Sequence, residues 1–175
     1  MVIWIIGLSG SGKTTLSKLM YERLKPQLPN LVRLDGDVLR ELFGNDVDHT
    51  IEGRRRNAQR LSVLSKFLAD QGIHIVAAVL SIFPDWREWN RANIPDYAEI
   101  YLRVSLTTLR RRDTKCLYAR ALSGQLPNVV GVDIAFPEPS APELILDNEA
   151  DRPDLGELAD SVFSLPAVRS ALGRA

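Results

Sequence analysis

The first fifteen residues constrain this chain more than any other stretch. Residues 2–6 are all apolar, which predicts a buried strand of a parallel sheet. Residues 7–14 then match the pattern G-x-x-x-x-G-K-[ST] at every fixed position. Apolar residues at helical spacing follow as far as Leu24. Strand, glycine-rich loop and helix therefore occur in the order that a loop binding nucleotide phosphates requires.

The residue types of this loop suit a nucleoside triphosphate. Its glycines can adopt positive φ angles and leave backbone N–H groups free to face phosphate oxygens. A helix that begins near Lys13 adds the partial positive charge of its N-terminus. Lys13 is expected to reach the β- and γ-phosphates, and the Thr14 hydroxyl is expected to ligate Mg²⁺. The predicted phosphate-binding residues are Gly7, Ser9, Gly10, Ser11, Gly12, Lys13, Thr14 and Thr15.

Composition narrows the class of protein. A length of 175 residues suits one α/β domain, here taken as residues 1–175. The balance of 22 Lys and Arg against 22 Asp and Glu argues against a nucleic-acid partner, which would favour a basic excess. The single cysteine, Cys116, excludes an internal disulfide. No apolar run is long enough to span a bilayer and no signal peptide precedes the first strand, so no membrane partner and a cytoplasmic location are expected.

Apolar segments alternate with helical patterns along the whole chain. Strands are predicted at residues 2–6, 31–34, 73–80, 98–104 and 144–146, with helices at 16–24, 38–43, 54–71, 106–112 and 117–122 and a helical tail at 155–171. Such alternation predicts a doubly wound, five-stranded parallel sheet flanked by helices. Ligands are then expected at the carboxyl ends of the strands.

A second group of polar residues follows the second predicted strand as Asp35-Gly36-Asp37. One carboxylate beside a γ-phosphate could hold the magnesium or take a proton from an attacking hydroxyl, while the other could fix an acceptor. The alternative is a turn in which Asp hydrogen-bonds its own backbone. Nothing in these three residues alone decides between the two.

Further motifs in a fixed order resemble the adenylylsulfate kinase family. They are the glycine loop from Gly7, Asp35-Gly-Asp37, Arg54-x-x-Asn57, Ser81, Arg112-Asp-x-Lys115-x-Leu-Tyr118, Gly131-x-Asp133 and Leu146-Asp147. The resemblance implies a P-loop kinase that uses ATP and Mg²⁺ to phosphorylate the ribose 3′-hydroxyl of adenosine 5′-phosphosulfate. It also implies a homodimer that acts on a small nucleotide acceptor.

Residue roles follow from the same resemblance. Lys13 and Asp35 are expected to be catalytic, with Asp35 acting as the base or as the carboxylate on the magnesium side. Thr14 and Asp35 are expected to hold the metal, and about residues 112–131 to form a mobile lid. The expected acceptor-binding residues are Asp37, Arg40, His49, Arg54, Asn57, Ser81, Lys115 and Val129.

The departures from the family pattern fall on the acceptor side. His49 stands where the family usually has a phenylalanine that stacks on adenine, and Val129-Val-Gly-Val132 replaces a lid segment with a second phenylalanine. The chain resembles the branch of the family that phosphorylates cytidine diphosphoramidate in capsule biosynthesis, and this acceptor is favoured over adenylylsulfate. Trp86 or Trp89 could replace the lost rings, although packing on one helix face is the favoured interpretation of this pair. A nucleotide-dependent switch with no acceptor is the remaining alternative.

Overall fold

The computed structural model describes residues 1–173. Within them lies one parallel sheet with the strand order β2-β3-β1-β4-β5. The strands are β1 (Val2–Ile6), β2 (Leu31–Asp35), β3 (His74–Val79), β4 (Tyr97–Arg103) and β5 (Leu144–Asp147). The predicted five-stranded, doubly wound sheet is confirmed, and every predicted strand is found within one residue of its expected bounds.

Helices cover both faces of the sheet. They are α1 (Lys13–Leu24), α2 (Gly36–Leu42), α3 (Ile51–Asp70), α4 (Pro84–Asn93), α5 (Leu106–Arg111), α6 (Leu117–Leu122), α7 (Gly156–Phe163) and α8 (Pro166–Gly173). The predicted tail at residues 155–171 is divided into two helices, because the helix stops before Pro166, a residue that disfavours helical geometry in its predecessor. Between residues 1 and 173 no helix is both long enough and apolar enough to cross a membrane.

The central strand β1 is buried on both faces, which explains its uninterrupted apolar sequence. Ile3 and Ile5 face one side, where they pack with α1, α7 and α8. Trp4 and its alternate neighbours face the other side and pack with α3. Burial of each side chain of this size stabilises the folded state by about 1.5–3 kcal/mol. The carboxyl end of β1, where the glycine loop begins, is thereby held in the middle of the protein.

The predicted lid, residues 112–131, is folded onto the body of the protein. Tyr118, Val129 and Val130 are buried in a third apolar cluster together with Leu8 and Phe83. The carboxylate of Asp113 accepts hydrogen bonds from the backbone N–H groups of residues 117, 118 and 119 and so caps α6. The segment is therefore anchored at both ends, and its mobility stays a prediction.

Helix α3 begins three residues earlier than predicted. The Thr50 side chain accepts a hydrogen bond from the Gly53 N–H at 3.1 Å and caps the helix at Ile51. Arg54 consequently lies inside the first turn of α3 and not before it. At Gly53 the preceding loop folds back so closely that a Cβ atom would lie 2.2 Å from Asp48 Oδ1 and 2.5 Å from the Asp48 carbonyl oxygen. A glycine is therefore required here by close approach of the backbone.

We predict that Gly53→Ala destabilises the protein. In an ordinary helix interior this change would raise the free energy of unfolding by about 1 kcal/mol. Here the added methyl group must displace the loop, so we expect a loss of about 1–3 kcal/mol. Urea unfolding followed by circular dichroism measures the sign. Gln59→Ala, an exposed change in the same helix, serves as the control, and a more stable Gly53→Ala protein would contradict the close contact.

Candidate active site

The glycine loop after β1 has the backbone conformation that its sequence predicts. Gly7 has φ 154° and Gly12 has φ 100°, both outside the range that suits other residues. A Cβ atom on Gly7 would lie 2.6 Å from the Leu102 carbonyl oxygen, and Gly12 forms the N-cap of α1 without a side-chain cap. The N-terminus of α1 therefore leaves its first N–H groups for a ligand, which makes the loop an anion site.

Two side chains from distant parts of the chain hold this loop in place. The Tyr118 hydroxyl, from α6 in the lid, donates to the Ser9 carbonyl oxygen at 2.8 Å. The Asn148 Nδ2 atom, just after β5, donates to the Ser11 carbonyl oxygen at 3.0 Å. The sequence motifs include Tyr118 but predicted no role for it, and no role was predicted for Asn148. Their function depends on contacts across more than a hundred residues, for which the sequence carries no local signal.

Lys13 lies over the loop that it follows. Its Nζ atom donates to the Leu8 carbonyl oxygen at 2.7 Å. Removal from water lowers the pKa of Lys13 to about 8, while the nearby carboxylates of Asp37 and Asp35 act in the opposite direction. A phosphate group beside this ammonium would favour its charged form.

Thr14 and Asp35, the two predicted metal ligands, are in direct contact. The Thr14 hydroxyl donates to Asp35 Oδ2 at 2.9 Å, and Asp35 is buried. The other carboxylate oxygen, Oδ1, accepts from the Asp37 N–H at 3.1 Å and caps α2. Asp35 thus caps a turn, as in the second interpretation of Asp35-Gly-Asp37, and also contacts the phosphate loop, while its role as a base or metal ligand stays a prediction.

One hydroxyl and one carboxylate are the kind of donor set that suits Mg²⁺, which takes few protein ligands and completes its shell with phosphates and water. In residues 1–173 no group of three or more His, Cys, Asp and Glu side chains is arranged to hold a metal by itself. The pair Thr14–Asp35 therefore fits a magnesium ion that arrives with a nucleotide.

A pocket next to Asp35, between α2, α3 and the end of β3, contains most of the predicted acceptor-binding residues. We call it the α2–α3 pocket. Asp37, Arg40, Arg54, Asn57 and Ser81 all line it. These five residues come from three separate segments of the chain, and the fold brings them together in one pocket.

The α2–α3 pocket is electropositive. Arg40 is buried and donates through Nη1 to the carbonyl oxygens of Val47 and Asp48, whereas its Nε atom has no partner within residues 1–173. Removal from water and the charge of Arg40 lower the pKa of Arg54. Partial removal from water and the charges of the same two arginines lower the pKa of His49. An anion in the pocket would offset the repulsion between these cations.

Three predicted acceptor-binding residues lie outside the lining of this pocket. His49 is exposed at its rim, and its carbonyl oxygen accepts from Arg54 Nε at 2.8 Å. Lys115 is exposed in the lid. Val129 is buried in the third apolar cluster beside Phe83, a residue that does line the pocket. A direct role of these three residues stays a prediction.

The pocket also contains residues that sequence reasoning did not assign. Trp86 lines it together with Ser62 and Asn90, while its ring packs edge-on against Trp89 at 5.4 Å. The packing interpretation of the tryptophan pair is therefore incomplete for Trp86. The inward face of α4 is polar, with Arg87 and Asn90 buried, and this departure from an amphipathic pattern is the signal that could have revealed the residues.

Comparisons with known proteins agree with this geometry. The model of the family described as adenylylsulphate kinase matches residues 1–147. The cytidine diphosphoramidate kinase of Campylobacter jejuni is 42% identical over 147 residues, which cover 84% of this chain and 85% of that protein. The adenylyl-sulfate kinase of Geotalea uraniireducens is 38% identical over 149 residues, covering 84% and 72% respectively.

Solved structures give the same result. The APS kinase of Mycobacterium tuberculosis in complex with AMPPNP and APS has a TM-score of 0.82 and 29% identity, with 99% of this chain and 97% of that chain covered. The protein that binds AMPPNP in that complex therefore has this fold and a related sequence.

We predict that MgATP binding takes up protons near pH 8. With a pKa of about 8, Lys13 is half neutral at that pH in the free protein, and phosphate contact restores its charge, so binding takes up about 0.5 proton per site. Calorimetry in buffers of different ionisation enthalpy measures this number, which should fall towards zero near pH 6.

Two variants test whether Lys13 is the source of the protons. Lys13→Arg keeps its charge at every pH used and should lose the uptake. Lys18→Met, on the exposed face of the same helix, should leave it unchanged. Equal uptake by the protein and its Lys13→Arg variant would contradict the assignment.

Proposed function

This chain belongs to the adenylylsulphate kinase family, and we propose that it transfers the γ-phosphate of ATP to the ribose 3′-hydroxyl of cytidine diphosphoramidate. The observation that carries the proposal is the electropositive α2–α3 pocket, which adjoins the Thr14–Asp35 pair. A donor site and an acceptor site thus meet at one carboxylate. A nucleotide switch would need no such second pocket.

The proposed reaction places the donor on the glycine loop. Lys13 and the N-terminus of α1 bind the phosphates, and Thr14 and Asp35 would hold Mg²⁺. When bound, Mg²⁺ neutralises charge on the transferred group. The acceptor oxygen forms a bond to the γ-phosphorus as the bond to the β-phosphate oxygen breaks, and ADP leaves. We assign the proton of the attacking hydroxyl to Asp35, because this carboxylate contacts the loop itself.

The acceptor's charged end would lie against Arg40 and Arg54. Guanidinium groups suit phosphate oxygens, and the buried Arg40 Nε atom has no hydrogen-bond partner among the described residues. Asp37, which is exposed at the start of α2, would contact the ribose side. In this arrangement the fold orients the two substrates in line, which is the main contribution of a kinase to catalysis.

Cytidine diphosphoramidate is preferred over adenylylsulfate because the base-binding positions have changed. His49 and Val129 stand where rings would stack on adenine, and Trp86 lines the pocket instead. A stacked base contributes about 1–3 kcal/mol, so exchanging these rings is expected to change base preference. Adenylylsulfate remains the second candidate, since other similar relatives carry that name.

We also propose that this reaction takes place in the cytoplasm and serves capsule biosynthesis. We further propose that the protein works as a homodimer, which sedimentation at assay concentration tests directly.

The identity of the acceptor can be tested by the rate of ADP release. With MgATP, we expect ADP release to depend on an added acceptor and to be at least about tenfold faster with cytidine diphosphoramidate than with adenylylsulfate at equal concentration. Coupled-enzyme detection of ADP and phosphorus NMR of the product provide the measurement. The reverse preference would identify an adenylylsulfate kinase, and release that ignores both acceptors would support the switch.

A second prediction concerns Arg54. Arg54→Gln removes a charged donor and should lower kcat/KM for the acceptor by about 10- to 100-fold, since a hydrogen bond to a charged group contributes about 1.5–3 kcal/mol. The KM for ATP should stay nearly constant. Arg56→Gln, two residues along α3 and paired only with Glu52 among the described residues, is the control. Equal losses in both variants would contradict a specific role.

A further inference from the structure

Three residues that line the α2–α3 pocket each have a buried side-chain oxygen atom with no hydrogen-bond partner in residues 1–173. These atoms are Asn57 Oδ1, Ser62 Oγ and Asn90 Oδ1. Asn57 is 8% exposed, and Ser62 and Asn90 are each 1% exposed. A buried polar atom without a partner is costly, so its presence in a folded protein needs an explanation. We call the part of the pocket formed by these three residues and Trp86 the amide recess.

The nitrogen atoms of both asparagine side chains already donate to other acceptors. Asn57 Nδ2 donates to the Gly36 carbonyl oxygen at 3.4 Å. Burial raises the pKa of Tyr97 and the charge of Glu99 raises it further, whereas a hydrogen bond from Asn90 acts in the opposite direction, which identifies Asn90 as the donor. The oxygen atoms left over are therefore acceptors, and only the Ser62 hydroxyl can also donate.

This donor and acceptor pattern selects between nucleotide bases. Cytosine and adenine each carry an exocyclic amino group next to a ring nitrogen that accepts a hydrogen bond. The amino group matches the two amide oxygens, and the ring nitrogen matches the Ser62 hydroxyl. Uracil and hypoxanthine present a carbonyl oxygen in place of the amino group, which would leave acceptors facing acceptors.

The position and size of the recess fit this use. It shares one pocket with Arg40 and Arg54, which would hold the charged end of an acceptor. The whole pocket has a volume of about 70 Å³, so only part of a planar base would enter it while ribose and phosphates stay outside. Because the three oxygens are buried in this structure, side chains around the pocket would have to shift to admit the base.

We infer that Ser62 and Asn90, with Asn57, read the amino group of the acceptor's base and restrict the acceptor to amino-substituted nucleotides. This inference rests on the proposed kinase function and goes beyond it, because it names the atoms that choose the base. Arg87 Nη1 also lacks a partner among the described residues, but it lies outside the lining of the recess and plays no part here.

Matched pairs of acceptors that differ only at the amino position test the inference. The pairs are cytidine and uridine diphosphoramidate, and adenosine and inosine 5′-phosphosulfate. We expect kcat/KM to favour the amino member of the productive pair by about tenfold or more, because a site built to hydrogen-bond a polar group rejects an analogue that lacks it. Equal use of both members would overturn the inference and leave the kinase function standing.

Two variants assign the effect to the recess. Asn90→Leu and Ser62→Ala should each lower kcat/KM for the amino substrate, with little change for the keto substrate, so that the ratio falls to about twofold. Glu88→Ala, exposed on α4, should retain the wild-type ratio. A variant that merely disturbs folding would lower kcat/KM for both substrates alike. An unchanged ratio of the two kcat/KM values in both variants would overturn the inference. Absence of turnover with all four acceptors would overturn the proposed function together with it.

Discussion

The hydrogen bond between Thr14 and Asp35 depends on how the sheet is wound. After β1 the chain passes over to β2 at the edge of the sheet, and β3 is later inserted between them. β4 is then added on the opposite side of β1. Connections therefore leave the neighbouring strands β1 and β3 in opposite directions, and a crevice opens above their carboxyl ends. Thr14 and Asp35 meet across this crevice, and Ser81, at the end of β3, lies at its base.

Sequence patterns predicted what is local and periodic. The buried strands, the glycine loop and the residues at strand ends were all within reach, because a parallel sheet brings the carboxyl ends of strands together whatever the connections do. The start of α3 was misplaced, because its cap, Thr50, comes at the end of a loop that folds back on Gly53. The polar inner face of α4 was also missed, since Arg87 and Asn90 resemble surface residues until Glu99 and Tyr97 of β4 are seen to face them.

The two arginine side chains of the α2–α3 pocket repel each other, and this electrostatic cost explains how they are held. Removal from water and the charge of Arg40 lower the pKa of Arg54, and Arg40 itself is buried. The protein offsets this cost with backbone carbonyl groups: Arg40 donates to those of Val47 and Asp48, and Arg54 to those of His49 and Asn128. Neutral carbonyls hold a guanidinium in place without neutralising it, so the net positive charge remains for an anionic ligand. A carboxylate partner in the same place would have removed it.

The side chain of Arg54 connects the two segments that depart from the family pattern. Arg54 donates to the carbonyl oxygens of His49 and Asn128 at 2.8 Å each, and these residues lie in or next to the two segments that the sequence analysis singled out as departures from the family pattern. Gly53 lets the first segment lie close against α3, while burial of Val129 fixes the second. Trp86 and Asn90, both on α4, line another side of the α2–α3 pocket. Under the proposed function, base preference would therefore depend on the positions of these segments as well as on the residue types that replace phenylalanine.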